Sequence, residues 1–206
     1  MKLTSESKSK FLKIKNCNMK KFKIKDLEVE YEVIHRKVKY PRLEVKTGYL
    51  YLILPKSYNN HQELLKKHEN WIYKKVSLIK NSQKEALNKS LNTERTDEKF
   101  KSLISLYVDR ISQELNVTVN QIHFRRMKSR WGSCSCQGNI NFNLYLKYLP
   151  SNLIEYVVFH ELAHLVEMGH NKKFWNIISN RFNDYKEKEN ELLIYYMVLA
   201  KEHQFF

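Results

Sequence analysis

Residues 160 to 170 read His-Glu-Leu-Ala-His-Leu-Val-Glu-Met-Gly-His. On an α-helix His160 and His164 stand four residues apart, so both imidazoles leave the same face, one turn above the other, and can grip one metal ion. Glu161, next to the first of them, is then placed to hold a water molecule against that ion, the arrangement of the His-Glu-x-x-His zinc hydrolases. A tetrahedral site with one open position needs a third protein ligand. His170 is the natural candidate, because Gly169 can end the helix and let the chain fold back. The competing donors are the carboxylates of Glu187, Glu189 and Glu191. The spacing predicts one Zn2+ per chain that lowers the pKa of a bound water, with Glu161 as general base and afterwards as general acid to the leaving group.

With 8 His and 18 Glu in 206 residues, a shuffled chain would show the five-residue pattern with a probability of about 2%, so context must carry the rest. Ile154, Val157, Val158, Leu162, Leu165 and Val166 surround the motif at helical spacing. The helix is therefore expected to be buried, where a histidine pair is costly without a partner. A metal ion is one such partner, and a hydrogen-bonded pair of core histidines is the bland alternative.

A second informative stretch runs from 122 to 149. Ile122, Phe124, Arg126 and Lys128 alternate as in a strand, Arg130 to Gly138 makes a turn, and Ile140, Phe142 and Leu144 resume the alternation, which predicts a hairpin. Three of the 4 glycines, Gly132, Gly138 and Gly169, flank these strands and the metal helix, where tight turns or close backbone approach are required. A strand beside a metal cleft can bind an extended substrate through its backbone, and Arg130 is a candidate for holding an anionic group or a developing oxyanion. Against that stands the plain alternative of packing and surface charge. Cys134 and Cys136 invite a ligand assignment, but a fourth protein ligand would close the position that water needs. No local feature suggests a reactive thiol.

The elements that must position these groups are those of an α+β protein large enough to bury a core. The first 20 residues read as a basic flexible arm. From Phe22 to Pro55 apolar and polar residues alternate, as in Leu27, Val29, Tyr31 and Val33, then Leu43 and Val45, then Tyr49 to Leu54, around Thr47-Gly48. That pattern predicts a small antiparallel sheet with a hairpin. Leu64, Leu65, Trp71, Ile72, Val76 and Ile79 fit an amphipathic helix covering one face of it. Residues 81–98 are polar, a linker or a helical extension, and Phe100 to Leu115 form a further helix. The division expected is an arm over 1–20, a sheet-plus-helix subdomain over 21–95, and a metal-binding catalytic domain over 96–206, its metal helix beside a short antiparallel sheet.

The 3 cysteines form neither an even framework nor a C-x-x-C pair, which agrees with a reducing compartment. No apolar run approaches a membrane span, and Met1 to Lys25 carries nine Lys without a signal-peptide core; both point to a cytoplasmic protein with no membrane partner. Residues 1–100 hold 24 Lys+Arg against 12 Asp+Glu, and residues 101–206 hold 13 against 10, so the net +15 lies mostly outside the metal half. Such a field attracts nucleotides, nucleic acid or acidic proteins; the simpler alternative is a Lys-rich solvated surface.

Lys128-Ser-Arg-Trp-Gly-Ser-Cys-Ser, Gly138-x-Ile-x-x-Asn, Leu149-Pro, Tyr156-Val-Val-x-His-Glu-Leu-Ala-His, Gly169-His and Phe174-Trp together resemble the YgjP-like metal-dependent hydrolases, relatives of the SprT-like and wider zinc-peptidase families. The resemblance is specific over residues 120–190 and extends to 25–80, where a hairpin ending in Leu-Pro precedes a helix containing Trp-Ile. It implies a zincin-like metallopeptidase domain with His160, His164 and His170 at the ligand positions and Glu161 as catalytic base. Asn183-Asp-Tyr-Lys stands where relatives often have Pro-Asp-Tyr-Lys, and Cys136 where a small polar residue is usual. His170 also falls at the metzincin distance, but Glu167 occupies the metzincin turn glycine's position, so the chain is not read as a metzincin.

Peptide or protein hydrolysis is the leading expectation. The resemblance also implies an alternative, hydrolysis of nucleoside triphosphates to release pyrophosphate, which the positive charge makes serious. A third reading is a nucleic-acid-associated binding protein with a structural metal, supported by the basic first half with Phe11, Phe22, Tyr31 and Tyr40 interspersed.

Overall fold

The computed structural model describes residues 19–46 and 49–202, so most of the expected basic arm and the Thr47-Gly48 turn lie outside the described residues. Two compact units divide between Asn81 and Ser82. The first contains β1 (Lys20–Ile24), β2 (Leu27–Arg36), β3 (Arg42–Lys46) and β4 (Tyr49–Pro55), then α1 (His61–Lys67) and α2 (Glu69–Glu85), which runs on past the division. The second contains α3 (Asp97–Leu115), β5 (Gln121–Arg125), β6 (Gly132–Cys134), β7 (Asn139–Asn143), α4 (Ser151–Ala163), α5 (Lys172–Arg181) and α6 (Tyr185–Glu202), with 3-10 turns at Ala86–Asn88 and Leu144–Tyr148. This is a mixed α/β architecture with two small sheets and six helices among the described residues.

Neither sheet is purely antiparallel, contrary to the expectation from alternation. In the first, the order is β1-β2-β4-β3, and β2 pairs with β4 in parallel. In the second, the order is β5-β7-β6, and β5 pairs with β7 in parallel, so the stretch 122–149 is not one hairpin. The antiparallel hairpin there joins β6 to β7. In both sheets the last strand in sequence takes an interior place, and burial explains why. Leu50, Leu52, Ile53 and Leu54 of β4, and Ile140 and Phe142 of β7, are buried, whereas β3 carries Arg42 and Glu44 and β6 is three residues long. The most apolar strand gains most from neighbours on both sides, and charged or short strands are tolerated at an edge.

In the first unit Ile24, Val29, Tyr31, Leu50, Leu52 and Leu54 form one core with Leu64, Leu65, Ile72 and Val76. The expected single amphipathic helix is broken at His68, which caps α1. Trp71, expected on its apolar face, is 39% exposed.

In the second unit α3 begins at Thr96, whose hydroxyl accepts from the Lys99 N–H, and ends at Asn116 with φ 52, a left-handed position that Asn tolerates. Its buried residues Phe100, Ile104, Val108 and Ile111 follow helical spacing and face α4. Most of α4 from Leu153 to Ala163 is buried, as fits a helix packed against α3, β6, α5 and α6. Its start lacks a side-chain cap. Arg95 ties that corner instead, donating to the Lys147 and Leu149 carbonyls at 2.7 Å each and to Ser151 Oγ at 3.1 Å. Arg95→Ala leaves those carbonyls without their charged donor and is expected to cost about 2 kcal/mol. Urea denaturation measures it, and an unchanged midpoint would mean that water replaces the guanidinium.

Candidate metal centre

His160 lies in the last turn of α4, and His164 caps the helix with αR backbone angles. The chain then leaves the helix through Leu165 and Val166, whose N–H groups donate to the Leu162 and Ala163 carbonyls. The turn returns at Gly169, and His170 precedes α5, which Asn171 caps by accepting from the Lys173 and Phe174 N–H groups. This reversal brings the three histidines together, with one ring nitrogen of each within 4.8 Å of the others; no other such trio of His, Cys, Asp or Glu occurs among the described residues. Of the competing carboxylates, Glu191 is paired with Lys89 at 2.6 Å, Glu187 is exposed, and Glu189 lies beside His160 Nδ1 at 3.8 Å rather than in the trio.

The donor set fits a zinc ion. His160 Nε2 and His170 Nε2 face each other at 3.1 Å, close to the roughly 3.3 Å between nitrogens bonded tetrahedrally at about 2.0–2.1 Å to one zinc. Two imidazole lone pairs at that distance repel unless they share a proton or a cation. His164 Nδ1 is occupied by the Glu167 carbonyl at 3.3 Å, leaving Nε2 as its free donor. Burial, reinforced by His164 and His170, pushes the His160 imidazole down to about 3, and burial also lowers His164. Both rings are therefore neutral near pH 7, the form a metal requires.

Phe174, which the ligand-spacing argument does not reach, is the floor of the trio. It is fully buried, and its ring centroid lies 5.0, 4.6 and 4.7 Å from those of His160, His164 and His170. Trp175 donates from Nε1 to the His170 carbonyl at 3.1 Å and stacks on Tyr185. The only sequence signal for either aromatic was the Phe-Trp pair in the family pattern.

Glu161 is 6% exposed. A Cβ added at Gly132 would stand 2.5 Å from Glu161 Oε1, 2.6 Å from Cγ and 2.7 Å from Cδ, so the missing side chain of β6 is the space the carboxylate fills. Burial pushes the Glu161 carboxyl up to about 8, with Arg130 opposing and Glu189 adding to the rise. Arg130 is exposed and acts on Glu161 through its charge. Its loop is held from behind by buried Asn143, whose Nδ2 donates to the Met127 and Arg130 carbonyls at 2.7 and 2.8 Å, and whose Oδ1 accepts from the Met127 and Tyr145 N–H groups. Cys134 is a free thiol that burial pushes up to about 11, and Cys136 is exposed. Neither belongs to the trio.

The Glu161 shift has a definite sign for the metal-free protein. A carboxyl raised from 4.5 to about 8 holds a proton in the folded state that the unfolded state has released, so its stabilising effect is complete below pH 4.5 and is lost as pH rises through 8. His160 acts oppositely: its contribution is complete above 6.5 and is lost as pH falls toward 3. Between pH 6.5 and 8 the Glu161 effect is alone of the two, and chelated protein is expected to lose about 1.5 kcal/mol there. Denaturation of wild type and Glu161→Gln at both pH values checks it. A wild-type profile as flat as the variant's would mean that Glu161 is ionised in the folded metal-free protein.

The model of the YgjP-like family, metallopeptidase domain, matches residues 80–194. The chain belongs to the YgjP-like family, and it is a metallohydrolase. Two solved structures are similar over part of the chain. The metallopeptidase zymogen jannalysin of Methanocaldococcus jannaschii is 28% identical, with 44% of this chain and 93% of that one covered at a TM-score of 0.40. The metallopeptidase zymogen abylysin of Pyrococcus abyssi is 20% identical, with 49% and 95% covered at 0.41. Comparison with curated proteins finds no match. No helix among the described residues is long and apolar enough to cross a membrane.

Proposed function

We propose that this chain is a zinc-dependent peptidase acting on peptide or protein substrates, with residues 96–206 as its catalytic domain. His160, His164 and His170 hold one zinc ion, and Glu161 is the general base. The convergence of three ring nitrogens within 4.8 Å, one residue from a buried glutamate, is the observation that carries the reading. Bound zinc would supply a Lewis acid that acidifies water and favours negative charge on the substrate oxygen. Glu161, kept ionised by the positive charge that bound zinc would bring beside it, accepts a proton from the attacking water at its carboxylate and returns it to the leaving nitrogen. Arg130 favours the ionised form of Glu161 and is the candidate group for an anionic part of the substrate.

A second reading, hydrolysis of a nucleoside triphosphate to release pyrophosphate, is favoured by one observation. Arg125 at the end of β5, with Arg126, Lys128 and Arg130 in the loop before β6, puts four exposed cations within six residues, a distribution that attracts phosphates.

Elemental analysis of the wild type beside His164→Ala, after loosely held ions are removed, tests the site. Near one zinc per chain, lost in the variant, is the expected result. No retained metal in either protein would reduce the trio to packed histidines. Incubation with unfolded protein and, separately, with nucleoside triphosphates, using Glu161→Gln as the blank, then separates the two substrates.

A further inference from the structure

We propose that Glu189, braced by Tyr156, is a positioning residue that holds His160 in the tautomer and orientation required for metal binding. This rests on the proposed zinc site. A metal-binding imidazole needs one nitrogen free for the ion and an acceptor for the N–H of the other. His164 has such an acceptor in the Glu167 carbonyl. His160 Nε2 faces His170, so its proton belongs on Nδ1, and on that side stands Glu189 Oε1 at 3.8 Å. At this distance the carboxylate acts by charge rather than by a hydrogen bond.

A glutamate with 45% of its side chain exposed would ordinarily wander in water. Glu189 is held by Tyr156, whose hydroxyl donates to the same Oε1 at 2.7 Å. Tyr156 is fully buried and precedes His160 by four residues on α4, with ring centroids 6.1 Å apart. One face of α4 thus carries both the imidazole and the hydroxyl, and α6 supplies the carboxylate between them. Burial and the Glu189 charge both raise the Tyr156 phenol, so it remains a donor at all ordinary pH values. A glutamate that only stabilised the α4–α6 contact would not need to point at the Nδ1 side of a ring whose Nε2 is in the metal trio.

The experiment is zinc competition against a chromophoric chelator for wild type, Glu189→Gln, Glu189→Ala, Tyr156→Phe and His164→Ala. Thermal midpoints of the metal-free proteins are measured alongside, with ring-nitrogen NMR of His160 in the zinc-loaded state. Glu189→Ala is expected to weaken zinc binding by about 10–100-fold and Tyr156→Phe by several-fold, with Glu189→Gln between wild type and Glu189→Ala. Metal-free midpoints should stay within a few degrees of wild type, and the His160 Nδ1–H signal should broaden by faster exchange in Glu189→Ala. Affinity within twofold of wild type in Glu189→Ala, with zinc lost in His164→Ala, would overturn the positioning role and leave the site intact. A metal-free midpoint that falls in step with affinity would make the role structural and overturn the proposal too. Wild type that holds no zinc would overturn the site itself, and this inference with it.

Discussion

Glu161→Gln is expected to retain wild-type metal and lower kcat for peptide hydrolysis by about 10²–10⁴-fold, the range for losing a positioned general base. The amide has the shape of the carboxyl and fits the space beside Gly132, so the three imidazoles need not move. What is lost is a group that can accept a proton. Because Glu161 of the metal-free protein is buried enough for its carboxyl to sit at about 8, the neutral amide also relieves the cost of a buried charge, and the chelator-treated variant should be at least as stable as chelator-treated wild type at pH 8. Steady-state hydrolysis and metal content on the same preparation check this. Full activity in a metal-loaded variant would remove Glu161 from the reaction.

Gly132→Ala is expected to have a comparable effect with nothing changed at the metal ligands or the base. The new methyl group would meet Oε1, Cγ and Cδ of Glu161 at 2.5 to 2.7 Å, distances at which something must shift. Gly132 does not have a positive φ, so the constraint there is space and not backbone conformation. β6 is fixed by its pairing to β7 and by the Asn143 N–H donating to the Trp131 carbonyl, so the glutamate side chain is what gives way. Misplacing a base by about 1 Å costs on the order of 10²-fold in rate. Metal content should be unchanged, and Glu161→Gln/Gly132→Ala should be no slower than Glu161→Gln alone, since both changes act on one group. A further loss in the double variant would show that Gly132 acts through something other than Glu161.

The local part of the candidate site is legible because a helix converts sequence spacing directly into geometry. His160, Glu161 and His164 need only the 3.6-residue period, and His170 only a glycine that lets the chain turn. Strand direction was not legible. Alternation in 122–149 says which side chains share a face, but nothing in it says that β7 will insert between β5 and β6 and run parallel to β5. Glycine at 132 suggested close approach, yet its partner Glu161 is 29 positions away and visible only once β6 packs on α4. By residue type alone Glu189 is a competing ligand. Its actual place beside Nδ1 depends on how α6 packs against α4, which hydrophobic periodicity does not specify to within one side chain.

The Asn143 knot bears on how this protein can change over generations. The course of the loop at 127–131 is written in one buried amide and the backbone groups it binds, with the Tyr196 hydroxyl donating to the Lys128 carbonyl, whereas the charged side chains at 126, 128 and 130 are exposed. Substitutions there can be sampled one at a time without jeopardising the helix that carries His160 and Glu161. On the proposed role of Arg130 at the substrate, descendants of this chain can change what they accept while the residues behind the loop stay as they are. Diversity within such a lineage would then gather on the loop's outward-facing positions, and constancy at the asparagine beneath them.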